Sequence, residues 1–258
     1  MYPIRAPTSD RIARQADKLA AAVDWIMTLK PKPDAVLATG DLTDHYTESQ
    51  YARLRNILAP LDMPVYLMVG NHDHRGRLRQ AFPEHGWLGD GGFVHYTVDD
   101  LPVRIVALDS QIEGAIEGEL CAARLAWLNE RLSEAPDKPT IVALHHPPFA
   151  GGIDRMDAHA LVRGKEELAG IIRRHPQVQR VVAGHVHRPF SAIFGGTLAQ
   201  TCPSTSHQIA LDFVRTDGVA IVDEPPACLL HTWSDAAGLV THLAHIGKHP
   251  LLVDVKLS

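Results

Sequence analysis

Apolar, β-branched runs alternate with amphipathic stretches between residues 11 and 189, a pattern typical of α/β proteins. Apolar residues at helical spacing predict helices at about 11–29, 48–58, 75–82, 120–132 and 161–174. Short apolar runs between them predict strands at 34–39, 65–69, 104–109, 140–144 and 180–183.

The pattern changes after Pro189. Short strand-like runs follow one another there without long helices, which predicts antiparallel sheet, at 191–194, 208–213, 219–222, 228–233 and 239–243. We therefore divide the chain into an α/β core, residues 1–190, and a β-rich part, residues 191–258, that completes the sandwich. The sequence leaves open whether the apolar stretches 228–230 and 251–253 form an interface or close the sandwich.

Size and composition limit the possible functions. The chain has 258 residues, 45% hydrophobic and 21% charged, which fits one large domain or one domain with a small appendage. A net charge of −5 argues against a nucleic-acid partner. The three cysteines, Cys121, Cys202 and Cys228, are odd in number and far apart, which argues against a disulfide framework. Neither a signal peptide nor a membrane-spanning stretch is evident, so we expect a cytoplasmic protein without a membrane partner.

Four of the predicted strands are followed by residues that bind metals. These are Gly40-Asp41, Gly70-Asn71-His72-Asp73, His145-His146-Pro147-Pro148 and Gly184-His185-Val186-His187. Ligands on an open α/β sheet bind outside the carboxyl ends of the strands, where these loops are expected. Carboxylate, amide and imidazole donors together suit zinc, iron and manganese better than calcium or magnesium alone.

Each motif has an ordinary explanation when taken alone. Asp41 could cap or turn the chain, Asn71 could form an Asx turn, and His72 could be a solvated loop residue. Taken together these explanations are poor, because ligand-type residues recur at four strand ends of one chain. We expect His145 to face the site and His146 to lie behind it, since successive side chains point apart.

Three further interpretations concern chemistry. A carboxylate has two oxygens and can bridge two cations, which makes Asp41 the strongest candidate for a bridging ligand. His185 and His187 are two residues apart, so in an extended segment both project to the same side. His72 could donate a proton to a leaving oxygen, with a carboxylate such as Asp73 fixing its tautomer.

This ordered set resembles the calcineurin-like metallophosphoesterases. Residues 145–149, 156–157, 184–188 and 203–208 are similar to the bacterial branch that hydrolyses cyclic nucleotides and glycerophosphodiesters, and the likeness extends from about residue 34 to 212. The resemblance implies a four-layer αββα sandwich with mixed sheets and two divalent ions, manganese, iron or zinc. It implies the following roles: Asp41 bridging both ions, Asn71, His145 and His185 completing one site, His187 serving the other, His72 at the scissile phosphate and His207 beside the substrate.

One motif of that family, Asp-x-His after a first strand, is absent. The only Asp ahead of the first predicted helix is Asp10, and no apolar strand precedes it. The sequence leaves three origins open: a start at an internal Met, a shortened chain or divergence. The second metal site would then contain only Asp41 and His187, so we expect one ion to bind more firmly than the other.

The leading hypothesis is metal-dependent hydrolysis of a small phosphodiester by metal-activated water, with Asn71, His72 and Asp73 as catalytic residues and His72 and His207 contacting substrate. Two alternatives remain: a phosphomonoesterase or nucleotide pyrophosphatase on the same scaffold, and a binding scaffold that has lost catalysis. The resemblance also implies a homo-oligomer, a dimer or larger.

Overall fold

The computed structural model describes residues 9–255, with side chains from residue 14 onward. Residues 1–8 and the Asp10 side chain, on which the missing-motif interpretation depends, lie outside that description. Helices α1 to α6 span Ser9–Thr28, Glu48–Leu58, Arg75–Ala81, Ala122–Ser133, Asp154–Asp157 and Lys165–Arg174, and a 3-10 turn spans Gly86–Leu88. Strands β1 to β14 span Val36–Ala38, Val65–Leu67, Tyr96–Val98, Arg104–Leu108, Gly118–Glu119, Thr140–Leu144, Leu161–Arg163, Val178–Ala183, Ser191–Phe194, Thr197–Thr201, Gln208–Ile209, Ile221–Val222, Ala227–Ser234 and Gly238–His245.

The main sheet has six strands in the order β3-β4-β6-β8-β10-β9. Its four inner strands are parallel, and an antiparallel strand lies at each edge, which makes the sheet mixed. Strands β1 and β2 form a separate parallel pair. Because the inner strands run in one direction, the loops after β4, β6 and β8 all emerge at the end of the sheet where the carboxyl ends of these strands lie.

Neighbouring residues of the inner strands β4, β6 and β8 contribute to two different apolar clusters. Val106, Val142 and Val181 belong to the cluster that includes residues of α4 and α6. Ile105, which precedes Val106, and Ala143, which follows Val142, belong to the other cluster, which includes residues of β2 and α2. The order is thus helices, main sheet, smaller sheet and helices. This arrangement confirms the predicted α/β fold class, an αββα sandwich.

Two of the differences from the sequence-based expectations change the connections around the sheets. The helix predicted from residue 161 begins at Lys165, because Leu161–Arg163 pairs with β5 as a short strand. Gly164 then turns the chain with a φ of 80°, and a Cβ there would lie 2.2 Å from the carbonyl oxygen of Leu120. The sheet after Pro189 is not wholly antiparallel, since β10 pairs in parallel with β8.

Residues 191–201 therefore continue the main sheet, and the later strands form two antiparallel pairs, β11-β12 and β13-β14. Trp233 and Leu239 of the second hairpin pack against the cluster between the sheets. Among residues 9–255, no helix is both long and apolar enough to cross a membrane.

Candidate metal centre

Four donor side chains from four different loops meet beyond the strand ends. The Asn71 Oδ1 atom lies 3.2 Å from His145 Nε2 and 3.1 Å from His185 Nδ1. Asp41 Oδ2 lies 3.3 Å from the same His145 Nε2. Ligand atoms about 2.1 Å from a common ion lie roughly 3 Å apart, so these separations fit one coordination sphere.

Hydrogen bonding prepares His145 to be a ligand. Its Nδ1–H donates to the carbonyl oxygen of Thr39 at 2.7 Å, so the lone pair of the neutral ring is on Nε2. Nε2 lies beside Asn71 Oδ1 and Asp41 Oδ2, which also carry lone pairs. The three atoms repel one another unless a cation or a proton lies between them. The donor set and its geometry therefore fit a divalent cation.

His146 is nearby but has no free lone pair. One nitrogen each of His145, His146 and His185 lies within 4.8 Å of the others. The His146 Nε2–H donates to the Ile116 carbonyl at 3.0 Å, while Nδ1 accepts from the Ser110 hydroxyl at 2.8 Å. Both ring nitrogens are thus used, and we assign His146 to support rather than ligation.

The backbone at this centre is strained. Among the residues that the structure describes, four non-glycine residues have φ in the left-handed region: Asp41 at 54°, Tyr46 at 45°, His185 at 68° and His187 at 51°. Three of the four are predicted metal ligands. Non-glycine residues adopt this conformation at a cost in free energy, and such strain is found preferentially at functional sites.

His187 lies on the side of the centre that faces His207. The two rings are 4.8 Å apart. His187 Nδ1 and His185 Nε2 are both buried without a hydrogen-bond partner in the described structure. A buried nitrogen without a partner is costly, which makes both atoms candidates for contact with a bound ion or water.

The local electrostatics at the centre favour a positive charge among the donors. Although burial lowers it, the neighbouring Asp41 carboxylate raises the pKa of His145, so a cation bound at Nε2 takes the place of a proton. Burial disfavours the Asp41 carboxylate, but the charge and the hydrogen bond of the neighbouring His145 hold the pKa of Asp41 well below its usual range. Burial, aided by His145, lowers the pKa of His185 to about 3. Burial and the neighbouring His207 lower the pKa of His187 to about 4. At neutral pH, Asp41 is therefore anionic, and His185 and His187 keep their lone pairs.

Asp73 has a different position from the one expected. Its Oδ2 accepts hydrogen bonds from the backbone N–H groups of Gly70 and Leu42, and its Oδ1 accepts from the Tyr51 hydroxyl. The Nδ1 of His72 instead contacts the backbone carbonyl of Asp44 at 3.0 Å. The expectation that the Asp73 carboxylate fixes the His72 tautomer is therefore wrong; Asp73 joins the two loops that carry Asp41 and Asn71.

Gln111 is a supporting residue that sequence reasoning missed. Its side-chain NH2 group donates to the carbonyls of Gly70 and Asp73, both at 2.7 Å. It follows β4, another strand that ends at this edge of the sheet. The signal available in the sequence was Asp109-Ser110-Gln111 after an apolar strand, which matches the position of the other motifs.

We expect Gly70→Ala to weaken metal binding, because a Cβ at this position would lie 2.3 Å from Asp41 Oδ1 and 2.7 Å from His145 Cε1. Both donors would have to move. The affinity for Mn²⁺, measured by titration calorimetry, should fall by about 10- to 100-fold, as it does when supporting partners are lost. Gly86→Ala is the matched control, since an added Cβ meets no atom within 4 Å there. Equal affinities of the two variants would contradict this prediction.

Comparisons with known proteins agree with the geometry. Residues 12–189 match the family described as Calcineurin-like phosphoesterase. The chain is 40% identical over 223 residues to a protein from Arcobacter nitrofigilis named probable glycerophosphodiester phosphodiesterase GpdQ, covering 86% of this chain and 82% of that protein. It is 29% identical over 192 residues to 3′,5′-cyclic adenosine monophosphate phosphodiesterase CpdA of Vibrio vulnificus, covering 73% of this chain and 67% of that protein. The fold is similar to a dimetal phosphatase from Danio rerio, with a TM-score of 0.60 at 16% identity over 90% of this chain and 89% of that one.

Proposed function

The chain belongs to the calcineurin-like phosphoesterase family, and we propose that it is a metal-dependent hydrolase of small phosphodiesters. The observation that carries the proposal is the convergence of Asp41, Asn71, His145 and His185, with donor atoms 3.1 to 3.3 Å apart. Relatives named for glycerophosphodiester and cyclic AMP hydrolysis support a small phosphodiester as the substrate class.

We assign Asp41, Asn71, His145 and His185 to a first divalent ion, and Asp41 with His187 to a second. The metal is one of manganese, iron and zinc, which accept this mixture of oxygen and nitrogen donors. Bound there, the ion supplies a Lewis acid that polarises the phosphate and acidifies water. The first site has four donors and the second has two, so we propose that the first ion is held more firmly.

The protein's own groups orient the substrate and stabilise charge. The His72 backbone N–H donates to Asp41 Oδ1 at 2.9 Å, so its ring is positioned beside the ligand loop. Its Nδ1–H donates to the Asp44 carbonyl, so Nε2 offers a proton or a hydrogen bond to the leaving oxygen when the ring is the doubly protonated imidazolium. The Asn71 amide helps to hold the phosphate, and His207, beside His187, contacts the opposite side of the substrate.

Asp73 acts through other residues in this proposal. Because its carboxylate accepts the backbone N–H groups of Leu42 and Gly70, it fixes the distance between Asp41 and Asn71. Exposed apolar side chains at Leu251, Leu252 and Val253 support a homo-oligomer, which we propose on that basis and on family likeness.

The test compares hydrolysis of bis(p-nitrophenyl) phosphate with that of p-nitrophenyl phosphate, after loading with Mn²⁺ and removal of loosely bound ions. We expect the diester to be preferred, a chelator to abolish turnover, and metal analysis to find about one firmly bound ion per chain. Preference for the monoester would instead indicate a phosphomonoesterase. Firm metal binding without turnover of either ester would indicate a binding scaffold.

A further inference from the structure

Tyr46 is the one strained residue of the centre that the proposed metal sites do not use. It is the fourth of the non-glycine residues with positive φ in the described part of the chain, at 45°. The residue is 44% exposed, so burial of its side chain does not explain the strain. Non-glycine residues with a positive φ are found preferentially at functional sites.

The backbone around Tyr46 is held firmly in this conformation. Its N–H donates to the Thr43 hydroxyl at 3.0 Å, and its carbonyl accepts from Arg77 at 2.9 Å. The next residue, Thr47, closes a capping box with Gln50 at the start of α2. The loop from Asp41 to Thr47 is therefore fixed at both ends and in its middle.

Tyr46 lies further out along the two loops that carry the metal ligands. Asp41 contacts the backbone of His72, Asp44 contacts the ring of His72, and Tyr46 contacts the ring of His74, with centroids 5.9 Å apart. The two loops thus lie side by side from the mostly buried ligand Asp41 to the more exposed Tyr46. The side chain of Asp41 is 15% exposed, that of His72 is 42% exposed, and Tyr46 is 44% exposed.

The ring itself is held in one orientation. The Arg77 guanidinium lies 5.5 Å from its centroid, in a cation–π contact that Arg77 reinforces by binding the Tyr46 carbonyl. An exposed aromatic ring that is already immobilised loses little entropy when it binds a ligand. Such rings are the surfaces on which nucleic-acid bases stack.

We propose that Tyr46 stacks on the planar base of a nucleoside phosphodiester and makes the site prefer such substrates to glycerophosphodiesters. This inference rests on the proposed function, in which His72 faces the leaving oxygen. The organic group on that side of the phosphate is then expected to extend over the same two loops, on which Tyr46 is exposed and contacts His74.

The test uses Tyr46→Asn and Tyr46→Phe in the Mn²⁺-loaded full chain. Asn tolerates left-handed φ and removes the ring, while Phe keeps the ring and removes the hydroxyl. Calorimetric titration with AMP and with glycerol 3-phosphate measures the two affinities, and KM for cyclic AMP and for a glycerophosphodiester gives a second readout. We expect Tyr46→Asn to weaken AMP binding by roughly 5- to 30-fold, typical for one stacked base, and to raise KM for cyclic AMP by a similar factor.

The outcomes separate the two proposals. Tyr46→Phe should retain AMP affinity within about 3-fold, since stacking needs the ring alone. Equal weakening of both ligands by Tyr46→Asn, or no change in AMP affinity, would overturn the stacking role while wild-type hydrolysis keeps the proposed function intact. If the loaded wild-type chain binds neither phosphate ester and hydrolyses neither diester, the proposed function fails and the stacking role fails with it.

Discussion

Asp41→Asn is expected to abolish both firm metal binding and phosphodiester hydrolysis. The substitution keeps a side chain of the same shape and an oxygen that can accept the His72 N–H, a bond of 2.9 Å in the native chain. It removes the negative charge that the buried His145 stabilises. A neutral amide also cannot bridge two cations as a carboxylate does.

The loss should exceed that caused by removing a supporting residue. We expect the affinity for Mn²⁺ to fall by more than about 100-fold, the upper end of the range for partners outside the coordination sphere. Asp62→Asn is the matched control, because Asp62 forms a surface ion pair with Lys32. Metal analysis, calorimetric titration and hydrolysis of bis(p-nitrophenyl) phosphate are the measurements.

The shape of the far-ultraviolet circular dichroism spectrum should be unchanged by Asp41→Asn, which separates lost binding from lost folding. Asp41 occupies a strained conformation with φ at 54°, and Asn tolerates that conformation well. A folded Asp41→Asn protein that binds its ion firmly and hydrolyses the diester would refute the assignment of Asp41 as the central ligand.

The sequence predicted which donor residues lie together, because the ends of buried strands can be recognised from the apolar pattern. Each of Asp41, Asn71, His145 and His185 follows an apolar run, and parallel strands place such positions at one edge of a sheet. The choice of His145 over His146 is supported by hydrogen bonds that no sequence pattern displays. The Thr39 carbonyl binds one nitrogen of His145, whereas Ser110 and the Ile116 carbonyl occupy both nitrogens of His146.

Supporting contacts were the least predictable part of the site. Asp73 looked like a partner for the neighbouring His72, but it binds the backbone of Gly70 and of Leu42, which is distant along the chain. Tyr46 gave no signal, because a positive φ on a tyrosine contradicts its intrinsic preference. Strand β10 was missed because its parallel pairing with β8 depends on long-range contacts rather than on local pattern.

A second large effect is expected from Asp109→Ala, which should lower the free energy of unfolding by about 3–5 kcal/mol, as for breaking a buried ion pair from one side. The Asp109 side chain is fully buried and accepts four hydrogen bonds. Two come from the Arg75 guanidinium, at 2.6 and 2.9 Å. The other two come from the backbone N–H groups of Val94 and Gln111, both at 2.9 Å.

Alanine in that position leaves the Arg75 charge, 17% exposed, without its partner, and leaves two buried N–H groups unsatisfied. Urea unfolding of the metal-free protein measures the effect, so that metal affinity does not enter the comparison. The surface pair between Arg215 and Asp217 supplies the control, since Asp217→Ala should cost at most about 1 kcal/mol. If Asp109→Ala also lowers the free energy of unfolding by only about 1 kcal/mol, the buried pair of Arg75 and Asp109 does not stabilise the fold in the way proposed.

The same substitution should also reduce metal affinity, because Asp109 positions Gln111, whose side chain binds the carbonyls of Gly70 and Asp73. Gln111→Ala separates the two effects. It removes the contacts to the Asn71 loop but retains the Arg75 pair, so the affinity for Mn²⁺ should fall by about 10-fold or more while the loss of stability stays smaller than for Asp109→Ala. If Asp109→Ala unfolds easily but the folded fraction binds Mn²⁺ with native affinity, the network stabilises the core without shaping the metal centre.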